Sequence, residues 1–148
     1  MAESLTLKGR GINKGNAQGR ALVSKTPFAF AHGVDPSTGI ISDLKHELRG
    51  QKLLDRVFIF PYGKGSTTGS TWILETIRRG NCPAAIINIE TEPIIATGVI
   101  LGELFYGRVV PTVDRLDQNP VEVIRTGDWV QVDASRGLVE VRPQSDKS

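Results

Sequence analysis

Hydrophobic and polar positions along this chain fall into short blocks with two periods. In LTLKGRGI, Leu5 and Leu7 alternate with polar neighbours, and a second short apolar segment, GRALVS, follows the break NKGNAQG. Alternation marks a half-buried strand, and the glycine–asparagine break predicts a β-hairpin joining the two. FAFAHGVDPSTGIIS gives an apolar stretch, a turn at Asp35–Gly39 and a short strand at Ile40 and Ile41. HELRGQKLLD is polar and reads as a loop with at most one helical turn. RVFIF (Arg56–Phe60) is unbroken and apolar, the profile of a strand buried on both faces, and PAAIINI (Pro83–Ile89) repeats that profile.

Between these two strands the period changes to that of a helix. Trp72, Ile73, Leu74 and Ile77 predict an apolar helical face, in a helix running from Ser66 or Thr67 to Arg79. Serine and threonine at its start suit N-capping, Arg78 and Arg79 suit the negative end of the dipole, and Gly80 suits the left-handed position that ends a helix. PIIATGVILGEL opens with Pro93, a favoured first helical residue, and predicts a second, short helix. VVPTVD is a strand candidate. QNPVEVIRTGDWVQVDASRGLVEV reads as turn, strand, turn, strand, with Ser135–Gly137 as a hairpin loop. Residues 143–148 read as a disordered tail. The order predicts an α/β fold in one domain spanning 1–148, with its core at about 5–142. A parallel strand–helix–strand–helix unit sits in a β-barrel-like or two-sheet body carrying two helices.

Composition changes this picture only by exclusion. With 39% hydrophobic and 23% charged residues, the 148-residue chain has the make-up of a globular domain. A net charge of +2 with scattered basic residues gives no track for nucleic acid. No apolar run is long enough to span a membrane. The segment MAESLTLKGRG lacks the apolar core of a secretory signal, so a cytoplasmic location is expected.

The candidate chemistry lies in PYGKGSTTGST, between RVFIF and the first helix. From Gly63 to Thr71 it holds three glycines, five hydroxyl side chains and Lys64. A glycine-rich turn opening a helix exposes unpaired amides at the positive end of the dipole, which suits an anion. Neither the phosphate-binding P-loop nor the dinucleotide fingerprint matches, because Gly65 follows Lys64 and the glycine spacing is wrong. A hydroxyl held in that positive potential can act as a base. The same stretch also reads as a flexible turn and nothing more.

GVDPSTGII, PYGKGSTTGS and EPIIATGVILGEL, in this order, resemble the small subunit of the aconitase X family, over about Gly9 to Val141. The resemblance implies the swivelling β/β/α domain fold and a dehydratase, that is, hydro-lyase, activity. It implies a larger partner subunit bearing the cysteine ligands of an iron–sulfur cluster or iron site. It implies Ser66 as the catalytic base, and the family's substrates, cis-3-hydroxy-L-proline and (R)-5-phosphomevalonate. The loop LFYGRVVPTVDRLDQNP leans towards the hydroxyproline enzyme, as an apparent extension relative to the archaeal type.

The residues themselves agree at one point. A cluster needs about three or four thiolates, and this chain has only Cys82, which also excludes an internal disulfide. No metal ligands are therefore assigned to this chain. Elimination of water needs a base and a Lewis acid, and only the base has a candidate here. Substrate contacts are expected from Lys64, Gly65, Thr67 and Thr68, beside Ser66. His32 and His46 read as structural or surface groups, Asp35 as a turn starter, and Glu92 as a cap of the second helix or a site residue. Small residues at Ala96–Gly98 imply close packing against a sheet or a partner. The competing reading is a non-catalytic anion-binding or docking module of the same fold.

Overall fold

The computed structural model describes residues 3–144. In chain order the strands are β1 (Leu5–Lys8), β2 (Arg10–Gly11), β3 (Asn16–Val23), β4 (Val34–Asp35), β5 (Ile40–Ile41), β6 (Arg56–Phe60), β7 (Ala85–Asn88), β8 (Thr112–Asp114), β9 (Trp129–Asp133) and β10 (Leu138–Arg142). The helices are α1 (Thr68–Arg78), α2 (Pro93–Tyr106) and α3 (Pro120–Val123).

Strand alternation sorts the core into two parts. In β6, Val57 and Ile59 face one apolar cluster while Phe58 and Phe60 face the other, and all four are buried. β7 does the same, with Ala85 and Ile87 on one side and Ile86 on the other. The first cluster gathers Leu7, Val113, Val130, Val132, Val139 and Val141 from the surrounding strands and fills a barrel. The second holds Phe28, Phe30, Ile73, Ile77, Ile95 and Val99 and lies beneath α1 and α2. Burial on both faces is thus borne out.

Eight strands form one sheet in the order β1-β10-β9-β3-β6-β7-β8-β2. Its two edges are consecutive pieces of one segment: β1 pairs with β10, the chain turns at Gly9, and β2 pairs with β8. The sheet therefore closes on itself and leaves no long free edge. Gly9 permits the turn, since a Cβ there would stand 2.4 Å from the Asp114 carbonyl oxygen.

This closure corrects the N-terminal hairpin. The first strand segment does not pair with β3, whose neighbours are β9, antiparallel, and β6, parallel. Asn13, read as turn chemistry, instead ties the chain to the β8 edge. Its Nδ2 donates to the Val110 carbonyl at 2.8 Å, and its Oδ1 accepts from Thr112 N–H at 2.9 Å. The hairpin of β9 and β10 forms with Asp133 opposite Leu138, and β4 pairs with β5 around the Asp35–Gly39 turn. A short helix, α3, stands after the turn at Asn119. Of the expected tail, Pro143 and Gln144 are described, and Gln144 N–H donates to Asp128 Oδ1 at 2.8 Å; the rest lies outside the described residues.

α1 ends as its sequence predicts. Gly80 has φ +75°, its N–H donates to Ile77, and Asn81 N–H donates to Thr76, closing the last turn. Within this chain the glycines of α2 pack against α1 and not against the sheet. A Cβ on Gly98 would stand 2.8 Å from Ile73 Cβ, and one on Gly102 2.5 Å from Ile77 Cδ1. Outward, α2 exposes Ile100 and Leu104. Among the described residues, no helix is long and apolar enough to cross a membrane.

Candidate active-site loop

β3, β6, β7 and β8 run parallel, so their carboxyl ends share one edge of the sheet. In open parallel sheets that edge is where ligands bind. Here it carries the glycine–hydroxyl loop after β6, the 89–92 loop after β7 and Arg115 after β8. The loops are tied together: Ile89 N–H donates to Pro61, and Arg115 N–H donates to Ile89.

The loop is pinned on one side. Phe28 N–H donates to Tyr62 at 3.2 Å and Lys64 N–H donates to Phe28 at 3.1 Å, so residues 62–64 lie as a short parallel partner of Phe28. Gly63 is buried against α2, where a Cβ would come 2.5 Å from Glu92 Oε1 and 2.8 Å from Ile95 Cγ1. Gly65 takes φ +107°, which swings the chain outward. The five residues singled out from the sequence, Lys64, Gly65, Ser66, Thr67 and Thr68, then follow one another as a single exposed run.

One expectation about this run is corrected. Serine and threonine here do not cap α1. Thr67 occupies the N-cap with helical dihedrals, and its side chain accepts no hydrogen bond from the helix. Gly69 N–H and Ser70 N–H turn back to the Ser66 and Thr67 carbonyls. Among the described residues, the backbone N–H groups of Gly65, Ser66, Thr67 and Thr68 meet no acceptor. No acidic residue lies in the first turn to answer the dipole. Lys64 makes no ion pair among the described residues. The electrostatics are those of an anion site open to solvent. Within it the Ser66 hydroxyl lies 2.6 Å from the Thr68 hydroxyl.

α2, which starts at the same edge, is the opposite case. Glu92 caps it, accepting from Ile94 N–H and Ile95 N–H at 2.8 Å each. Its capping role is thus confirmed, although it also borders Gly63. Beyond it, Asp114 is fully buried and accepts two bonds from Arg10 and one from Thr91 N–H. Arg115 and Glu90 form a two-bond ion pair beside them, which holds Glu90 below the usual carboxylate range. Sequence reasoning missed this group, because residues 10, 90 and 114 meet only through barrel closure.

The described residues do not fit a metal centre. No three His, Cys, Asp or Glu side chains converge among them. Both ring nitrogens of His46 are engaged, and burial pushes the Cys82 thiol up. A concavity of about 520 Å³ lies over β1, β3, β9 and β10, and none of the loop residues 64–68 lines it.

With this geometry in view, the comparisons with known proteins are decisive about class. The aconitase X swivel-domain model matches residues 6–141, so the chain belongs to the aconitase X swivel-domain family. The phosphomevalonate dehydratase small subunit of Methanosarcina acetivorans is 44% identical over 144 residues, covering 97% of this chain and 96% of its own. The crystal structure of holo-form aconitase X from Thermococcus kodakaraensis superposes with a TM-score of 0.84 at 42% identity, covering 93% of this chain and 98% of that one. The solution NMR structure of a UPF0107 protein gives 0.81 at 39% identity, with the same coverages. The swivelling α/β fold is therefore established, and the chain is a dehydratase (hydro-lyase) small subunit.

Proposed function

We propose that this chain supplies the base of a two-subunit, iron-dependent dehydratase acting on phosphomevalonate. The observation carrying the proposal is the exposed Ser66 hydroxyl set among backbone N–H groups that have no acceptor. Those amides and Lys64 stabilise Ser66 in its alkoxide form, and a hydrogen bond donated by Thr68 adds to that effect. The alkoxide takes the proton from the carbon next to the carbinol. The electron pair forms the new double bond as the C–O bond breaks and hydroxide leaves. An iron site or iron–sulfur cluster on the larger partner subunit would supply the Lewis acid for that hydroxide. Substrate carboxylate or phosphate would rest on the Gly65, Thr67 and Thr68 amides and Lys64. Apolar side chains stand exposed around this edge, Tyr62 and Ile89 at the loop and Ile100 and Leu104 along α2, where a larger subunit would cover them. We also propose a cytoplasmic location, in keeping with the lack of an apolar signal core in MAESLTLKGRG.

Relatives that are phosphomevalonate dehydratase small subunits favour phosphomevalonate. The length argument for cis-3-hydroxy-L-proline loses its premise, because the archaeal Methanosarcina relative aligns over nearly the whole of both chains. The test is co-expression with a cysteine-bearing large subunit, followed by assay of water elimination from both substrates. Turnover of phosphomevalonate by the pair, and by neither chain alone, is expected. Turnover of hydroxyproline alone would overturn the substrate. Failure to bind any large subunit would favour the docking-module reading.

A further inference from the structure

His46 lies outside the loop, yet the structure connects it to the loop by an unbroken set of contacts. Leu48 N–H donates to His46 Nδ1 at 3.0 Å. Nδ1 must therefore carry a lone pair, and the neutral ring has its proton on Nε2. Nε2 faces Ser24 Oγ at 3.1 Å, and so donates to it. Ser24 is fully buried and also accepts from Thr26 N–H, while its own hydroxyl proton goes to the Thr26 carbonyl at 2.7 Å. Serine, histidine and the nearby Glu47 look like a nucleophile set, but the polarity is reversed. The histidine donates to the serine and cannot take its proton. The cluster is a clamp.

What the clamp holds is Phe28. The His46 ring meets the Phe28 ring edge-on at 5.3 Å, and Phe28 packs in turn on Phe30, Phe58 and Phe60. Its backbone N–H and carbonyl are the two groups that pin Tyr62 and Lys64. We propose that His46 is a positioning residue: its neutral, Nε2-protonated ring fixes Phe28, Phe28 fixes the Lys64–Thr68 loop, and protonation of His46 releases that loop. Protonation at Nδ1 would set an N–H against the Leu48 N–H and break the clamp. The charged groups facing the ring are Glu47 and Asp43 from its own turn and Lys64 from the loop. Burial holds the ring below its ordinary value; Glu47 and Asp43 oppose this, and Lys64 reinforces it. The loop therefore stays engaged at neutral pH and is released only as the pH falls through the depressed midpoint.

This inference rests on the site reading for its consequence in catalysis, but its test does not. The full chain is titrated downward from about pH 8 while imidazole and backbone amide ¹⁵N signals are followed. The His46 signals should show the Nε2-protonated tautomer and a midpoint below the ordinary 6.5. The amides of Lys64 to Thr68 should move with that midpoint. In His46→Gln, whose side-chain amide can still donate to Ser24 but does not titrate, the loop amides should stay fixed. Loop amides that ignore the His46 midpoint in the wild-type chain, or that move equally in His46→Gln, would overturn the proposal. In the assembled enzyme, kcat/KM should fall about tenfold per pH unit below the same midpoint, and His46→Gln should flatten that limb. If Ser66→Ala left activity intact while the loop amides still followed His46, the base assignment would fail and the clamp would stand.

Discussion

Two serines one helical turn apart should separate catalysis from stability. Ser66 is exposed, and among the described residues it caps nothing and its hydroxyl bonds only to that of Thr68. Removing it should change stability by no more than about 0.5 kcal/mol, the usual range for a surface substitution. Ser70 is half-buried, and its hydroxyl donates to the Ile94 carbonyl at 2.8 Å, joining the first turns of α1 and α2. Losing that bond should cost about 0.5–1.5 kcal/mol. In activity the ranking inverts. Ser66→Ala should lower kcat by ~10²–10⁴-fold if the hydroxyl is the base. Ser70→Ala should leave it within a few-fold. Thr68→Val, which removes the hydroxyl facing Ser66, should fall between them at roughly ten- to a hundredfold, the worth of one charge-assisted bond. Urea midpoints of the chain and steady-state rates of the assembled enzyme read the two axes. The reasoning is refuted if the serine variants are equally mild in rate, or if Ser66→Ala is the less stable of the two.

Lys64→Met should raise KM roughly ten- to a hundredfold, with kcat little changed if the lysine only holds the substrate anion, and with kcat lowered too if it also stabilises the alkoxide. Glu75, held down to about 2 by hydrogen bonds from Arg78 and then Arg79, contributes stability above its unfolded range near 4.5 and loses it as pH falls through about 2. The advantage of wild type over Glu75→Gln in thermal melts should therefore shrink across that window and be absent below it. Arg10→Met would leave the buried Asp114 with Thr91 N–H as its remaining partner. Breaking a buried pair costs up to about 5 kcal/mol, but Arg10 is half-exposed and water can replace it, so a urea midpoint loss of about 1–3 kcal/mol is expected, partly recovered in Arg10→Met/Asp114→Asn.

What the sequence showed and what it hid divide along locality. Double burial of Arg56–Phe60 follows from an unbroken apolar run between turn residues, and it holds. Pro93, Glu92 and Gly80 announce helix ends through local backbone chemistry, and each acts as expected. The N-terminal hairpin fails because its break has turn chemistry while its strands have better partners far away. Leu5–Gly11 is needed to close the barrel against β10 and β8, and no local signal reports that. The same distance hid Arg10 with Asp114, and His46 with Phe28. The five loop residues were legible because glycine, hydroxyl and lysine were packed into one contiguous stretch. That their hydroxyls would leave the helix uncapped was not legible, since the residue types that favour capping say nothing of the dihedrals at Thr67.

The strongest argument for a ligand at this edge is the asymmetry between neighbouring helix starts. α2 receives a carboxylate from its own chain, and Glu92 satisfies two of its free amides. α1 receives none, although residues able to cap lie all along its approach. An uncapped start costs about 1 kcal/mol against a capped one. Supplying the missing anion covalently should therefore reveal what the site is for. Thr67→Asp places a carboxylate at the bare end, where the dipole term alone is worth about 0.3–1 kcal/mol. The variant should be more stable than wild type by that amount, and the assembled enzyme should bind substrate poorly, because the position is filled and the added charge repels the substrate's own. Inorganic phosphate gives a second readout. It should raise the urea midpoint of wild type in proportion to occupancy and that of Thr67→Asp much less, with general salt effects common to both. A destabilised Thr67→Asp with phosphate acting equally on the two chains would mean that α1 begins in water and needs no anion, and Ser66 would lose the field that makes it a base.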